Sequence, residues 1–157
     1  MGNMINGDDF IYLINNFNSI DLLNIKELTY NIHNFSKSKE TYGLCIDNNV
    51  NVLYPHNDVK ESVKENFIRR LNNFTKENIC FILDVKSWEK YKDIIYTQNN
   101  IIDFCTLNNE YKKILCVADK TYKKYETDNC KIIIKDNLDI DKLVPYIYKN
   151  YKNFLLN

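Results

Sequence analysis

Apolar side chains recur along this chain with two different periods, and the changes of period mark its elements. Phe10, Leu13, Ile14 and Phe17 share one helical face, and Asp8 or Asp9 ahead of them can cap a first helix. A second helix is predicted from Asn24, because Glu27 completes a capping-box spacing and Ile25, Leu28, Ile32 and Phe35 form a stripe. The polar stretch 36–40 ends it. The period then shortens. Residues 41–47 and 50–54 are β-prone runs separated by Asn48-Asn49, a pair that tolerates the positive φ of a hairpin turn, and Pro55 stops the second run.

Asp58 and Glu61 repeat the capping spacing ahead of Val59, Val63, Phe67, Leu71 and Phe74, which predicts a third helix. The unbroken apolar run 79–83 is expected to be a strand buried on both faces. Ser87 can cap a fourth helix carrying Trp88, Tyr91, Ile94 and Ile95. Residues 101–107, 111–118 and 129–135 read as three further strands, the first two pairing across Asn108-Asn109. Ile140, Leu143, Ile147, Tyr151 and Phe154 define a closing helix, in which a cap at Asp141 would keep Pro145 in the first turn.

The expected order is therefore α-α-β-β-α-β-α-β-β-β-α. It implies an α/β (α+β) fold: one globular domain over residues 1–157, with a central mixed sheet of five to six strands and helices packed on it.

Composition narrows the function classes. With 45% apolar and 27% charged residues, three Gly and two Pro among 157, the chain is neither a disordered tail nor a Pro-rich linker. Lys plus Arg equals Asp plus Glu at 21 each, so overall charge points to no polyanionic partner. No apolar run is long enough to span a bilayer, and Asp8 and Asp9 stand where a secretory leader would carry basic residues, so neither a span nor a leader is expected. Five cysteines occur without a Cys-x-x-Cys pair and without a nearby histidine, which argues for small hydrophobes in a reducing, cytoplasmic compartment rather than zinc ligands. A reactive thiolate needs an electropositive setting, and Cys116 and Cys130, with lysines close in sequence, come nearest to it. The 25 Asn, 20 Ile and 19 Lys against two Arg are the residues of AT-rich codons. A low-GC genome, cellular, viral or of a mobile element, produces such Lys clusters without selection for chemistry.

Three constellations remain. Asp84-Val85-Lys86 ends an apolar strand with an acid and a lysine two residues apart, which looks like the strand half of a PD-(D/E)xK nuclease site holding Mg²⁺ or Mn²⁺. Asp58 or Asp47 would supply the further acid. Asp119 ends a second apolar strand; if the two strands are parallel neighbours, Asp84 and Asp119 meet at the carboxyl edge, where open α/β sheets take ligands, and together could bind a metal. The simpler reading makes Asp84 a strand-end turn residue, for which Asp84→Asn changes stability little. Finally, Lys112, Lys113, Lys123 and Lys124 interleave with Tyr122 in the segment 111–135, a pattern suited to single-stranded nucleic acid or to a solvated face.

No assembled set of nucleophile, base and oxyanion donors can be named. The expectation is a small non-enzymatic binding or regulatory domain that contacts a protein partner or its own copy, with no cofactor. A metal-dependent nuclease or phosphodiesterase using Asp84, Lys86 and Asp58 is the alternative. A nucleic-acid-binding module is the third reading.

Overall fold

The computed structural model describes residues 4–30, 41–54, 60–72, 79–85, 95–108, 110–135 and 140–156. They fall into two compact units, Met1–Thr75 and Lys76–Asn157. Each has its own sheet, so the single five- to six-stranded sheet expected from the sequence is replaced by two smaller ones.

In the first unit, strands β1 (Met4–Ile5), β2 (Ile25–Tyr30), β3 (Thr41–Ile46) and β4 (Val50–Tyr54) form an antiparallel sheet in the order β1-β4-β3-β2. The β3–β4 hairpin forms where the sequence places it. Its left-handed residues are Asp47 (φ 51°) and Asn48 (φ 59°), one position earlier than the Asn48-Asn49 pair. Asp47 is fixed there because its N–H donates to Asn24 O at 2.8 Å and its carboxylate accepts from Asn24 Nδ2 at 3.2 Å.

Helix α1 (Gly7–Asn15) begins after Asn6, which leaves Asp8 and Asp9 in the first turn, where negative charge suits the helix dipole. Asp9 does more than that. Its carboxylate accepts from both the backbone N–H (2.9 Å) and the side-chain amide (3.1 Å) of Asn51, tying α1 to β4. Helix α2 (Lys60–Asn72) matches the third predicted helix in its described part, while Asp58, Val59 and Phe74 lie outside the described residues. Ile20, Leu44, Ile46, Val50, Val52, Tyr54 and Val63 make this unit's core.

The predicted second helix is instead strand β2. On the edge of β3 that β4 leaves open, Ile25–Tyr30 pairs along the whole strand, in register from Ile25 opposite Ile46 to Tyr30 opposite Thr41. That gain outweighs a helical stripe, of which Ile25 still packs against this unit's core as part of a strand.

The second unit carries β5 (Cys80–Asp84), β6 (Lys112–Val117) and β7 (Cys130–Ile134), paired in parallel in the order β5-β6-β7. The expected strand 101–107 is helix α3 (Gln98–Thr106). Its start is set by a capping box: Thr97 Oγ1 accepts from Asn100 N at 3.2 Å, and Asn100 Oδ1 accepts from Thr97 N at 3.0 Å. Ile101, Phe104 and Cys105 then share its buried face. A 3-10 helix (Lys120–Tyr125) follows β6.

Helix α4 (Ile140–Leu156) closes the chain, with Pro145 inside it and a break of helical geometry at Tyr151. Leu143 and Ile147 of α4 pack with Ile114, Cys116 and Ile133. By strand alternation Lys113, Leu115 and Val117 then take the opposite face of β6, the face against which α3 lies. Strand β6 is covered on both sides, whereas Ile82 of β5 is 37% exposed, so β5 is not buried on both faces. The predicted helix from Ser87, including Trp88, Tyr91 and Ile94, lies outside the described residues. Among the described residues no helix is long and apolar enough to cross a membrane.

Candidate functional site

The carboxyl edge of the parallel sheet is where the sequence argument concentrated, and the strands that carry Asp84 and Asp119 are indeed parallel neighbours. Asp84, the last residue of β5, stands opposite Cys116. Lys135, the residue after β7, is held to the far side of β6 by a backbone bond from its N–H to Val117 O at 2.9 Å. The two side chains reach over the central strand, and Lys135 Nζ donates to Asp84 Oδ2 at 2.8 Å. Both are buried, at 3% and 5% side-chain exposure. The Cys116 thiol beneath them is pushed up to about 12 by burial and by the Asp84 carboxylate, an effect that Lys135 partly offsets.

Asp84 is thus not a solvent-facing turn residue. Its carboxylate is paired with an internal ammonium. Asp119 behaves differently. It is exposed, and its carboxylate accepts from Thr121 N at 2.8 Å to cap the 3-10 helix. The backbone and side chain of Thr121 hold it below the usual carboxylate range. The edge therefore carries both acids, one paired inside and one capping outside. Lys86 and Asp58 lie outside the described residues, and Asp47 is engaged in the hairpin turn of the first unit. Among the described residues no cluster of three or more His, Cys, Asp or Glu could hold a metal ion.

The basic segment does not form one face. Lys113 is fully buried, and its ammonium donates to Cys105 O at 3.3 Å and to Leu107 O. It satisfies carbonyls at the C-terminal end of α3, where a cation is also favoured by the dipole. Burial holds Lys113 below the ordinary lysine range, although the neighbouring Cys130 and Cys105 work against that. Lys123 is exposed but donates to Glu126 and, at 3.0 Å, to Ile132 O. Lys112 and Lys131 both lie over the Phe154 ring, at 5.8 and 5.5 Å from its centroid. Lys124 sits 5.0 Å from the Tyr125 ring, and Tyr122 is tilted against Tyr125 with centroids 6.4 Å apart. These lysines and rings meet one another within the unit.

The partners of two buried lysines are not legible in the sequence. Lys135 is separated from Asp84 by 51 positions. The available signal was its place: like Asp84, it ends a run of buried strand residues with a charge. The other is Lys113, which the sequence reading groups with the nucleic-acid-binding lysines and the structure buries within β6. No family model, curated protein or solved structure matches this chain.

Proposed function

We propose that the chain is a non-enzymatic binding or regulatory domain that acts through contacts with another protein. Helix α4 carries this reading. Its inner side buries Leu143 and Ile147, yet Val144 (63% exposed) and Tyr148 (58% exposed), one turn apart, face outward. A surface helix ordinarily keeps that side polar. Tyrosines supply large amphipathic contact area at low entropic cost, and Lys152, 5.8 Å from the Tyr148 ring centroid, adds a cation to the same patch. The closed Asp84–Lys135 pair agrees with this reading, because a carboxylate already neutralised by an internal lysine is poorly placed to recruit Mg²⁺.

The test has two arms. Photo-crosslinking from p-benzoylphenylalanine in place of Tyr148 should give one discrete polypeptide adduct, absent when Val144→Glu is added and absent from the same probe at exposed Tyr12. Incubation of wild type with Mn²⁺ and DNA or RNA should give no cleavage. Divalent-dependent cleavage lost in Asp84→Asn would overturn the proposal in favour of the nuclease, and equal crosslinking from positions 148 and 12 would remove its support.

A further inference from the structure

From residue 142 onward helix α4 carries one sign of charge, in a chain whose total is zero: Lys142, Lys149 and Lys152 occur there with no Asp or Glu. The helix dipole does not account for Lys149 and Lys152, because its effect is confined to the last turn and that turn holds no basic residue. Nor are they answered within the molecule. Both are exposed, and the ion pairs among the described residues, Lys123–Glu126 and Lys135–Asp84, involve neither. Glu126, whose field reaches the helix at Tyr151, is already held by Lys123. Lys152 lies 5.8 Å from the centroid of the Tyr148 ring, so a cation borders the patch made by Val144 and Tyr148. Lys112 and Lys131, at 5.8 and 5.5 Å from the centroid of Phe154, continue the same sign towards the end of the helix.

We propose that α4 binds an acidic segment of a partner polypeptide, seating an apolar side chain on Val144 and Tyr148 and pairing carboxylates with Lys149 and Lys152. The inference rests on the reading of α4 as a protein-contact surface and names the chemistry of what it contacts. Spacing sets the motif. A helix rises about 12 Å between positions 144 and 152, a distance that about four residues of extended chain span. An apolar residue with acids roughly three to five positions away therefore matches the patch. Charge complementarity decides between this occupant and the others. A second copy brought to this face by a two-fold axis would set lysines against lysines. A bilayer takes up the apolar face of an amphipathic helix, and here Leu143 and Ile147 face the core. A single strand of nucleic acid stacks bases on open rings, but Phe154 already has two ammonium groups over it, and residues 140–157 contain no Arg.

A phage-displayed library of random peptides, about 12 residues long so as to exceed the span of the patch, is panned against the full-length protein. Enriched clones should share an apolar residue with at least two Asp or Glu about three to five positions away. A fluorescein-labelled synthetic copy of the leading clone should bind with an affinity that falls severalfold between about 50 and about 300 mM NaCl. Lys149→Gln combined with Lys152→Gln should weaken it about 5- to 30-fold, and Val144→Ser should weaken it as well. Lys120→Gln with Lys124→Gln, on the 3-10 helix, should leave it unchanged. Enrichment of neutral or basic peptides, no enrichment, or binding indifferent to Lys149 and Lys152 would overturn the acidic partner. The contact surface itself would survive that result if the Tyr148 photo-adduct still formed in the double lysine variant, and would fall with it if the adduct were absent from wild type. Tighter binding of labelled oligothymidylate or of phosphatidylserine vesicles than of the peptide, lost in the same double variant, would give these lysines to a nucleic acid or a membrane and overturn the proposal.

Discussion

Replacing Asp84 by Asn leaves the Lys135 ammonium, 3% exposed, without its carboxylate. At the observed 2.8 Å the attraction is about 6 kcal/mol if the effective dielectric constant is about 20. Desolvating each ion costs several kcal/mol, so the intact pair contributes little beyond an apolar replacement. One-sided removal is another matter, costing about 3–5 kcal/mol because a buried charge is stranded. The asparagine oxygen can still accept from Lys135, so Asp84→Asn should fall near the lower end, at about 3 kcal/mol. Lys135→Met strands the carboxylate and should cost about as much. With both charges gone, the double variant should recover at least about 2 kcal/mol relative to the sum of the singles. Urea denaturation of the four proteins at neutral pH, read at unchanged slope, measures this. Single losses below about 1 kcal/mol that simply add are the signature of an exposed pair and would refute the reasoning.

Lys113→Met should cost about 1–3 kcal/mol, since the Cys105 and Leu107 carbonyls lose their donor. In native amine labelling Lys113 and Lys135 should react far more slowly than exposed Lys120 and Lys124, and equal rates would contradict their burial. Burial pushes the Cys80 thiol up to about 11, with Lys112 partly opposing it, so the folded protein keeps a proton there that the unfolded chain releases near pH 9. Stability should therefore decline as pH rises from about 9 to about 11, and Cys80→Ala should flatten that decline in alkaline denaturation curves.

Much of the architecture could be read because local signals agreed with tertiary demands. The hairpin, α2, β5, β6 and β7 each had a pattern that no neighbour contradicted. Helix α3 was misread because Ile101-Ile102 favours a strand and the capping-box partner at the third position is Asn100, where the usual signal is Glu or Gln. Its helical spacing of Ile101, Phe104 and Cys105 was present all along. Strand β2 failed for the opposite reason: its fate is set by an edge supplied by residues 41–46, which no local window contains. At the candidate site Asp84 was legible as a charge at a strand end, and the parallel pairing gave its edge meaning. Its partner was hidden among 19 lysines, because charge pairing across a central strand depends on strand order rather than on spacing.

The parallel order of the second sheet also sets a timetable for synthesis. An antiparallel hairpin such as β3–β4 can close as soon as its second strand emerges, because its loop is three residues long. Strand β5 has no such neighbour, and Asp84 meets its counter-ion only after 51 further residues. At about 5–20 residues per second, that wait is roughly 3–10 s. Until β6 is complete at Val117 the apolar strand ending in Asp84 lacks its pairing edge, and until Lys135 it lacks its ammonium. A nascent chain paused before Lys135 therefore holds the first unit's sheet complete and the second unit's charge unanswered, which makes this interval the one in which a chaperone has most to cover.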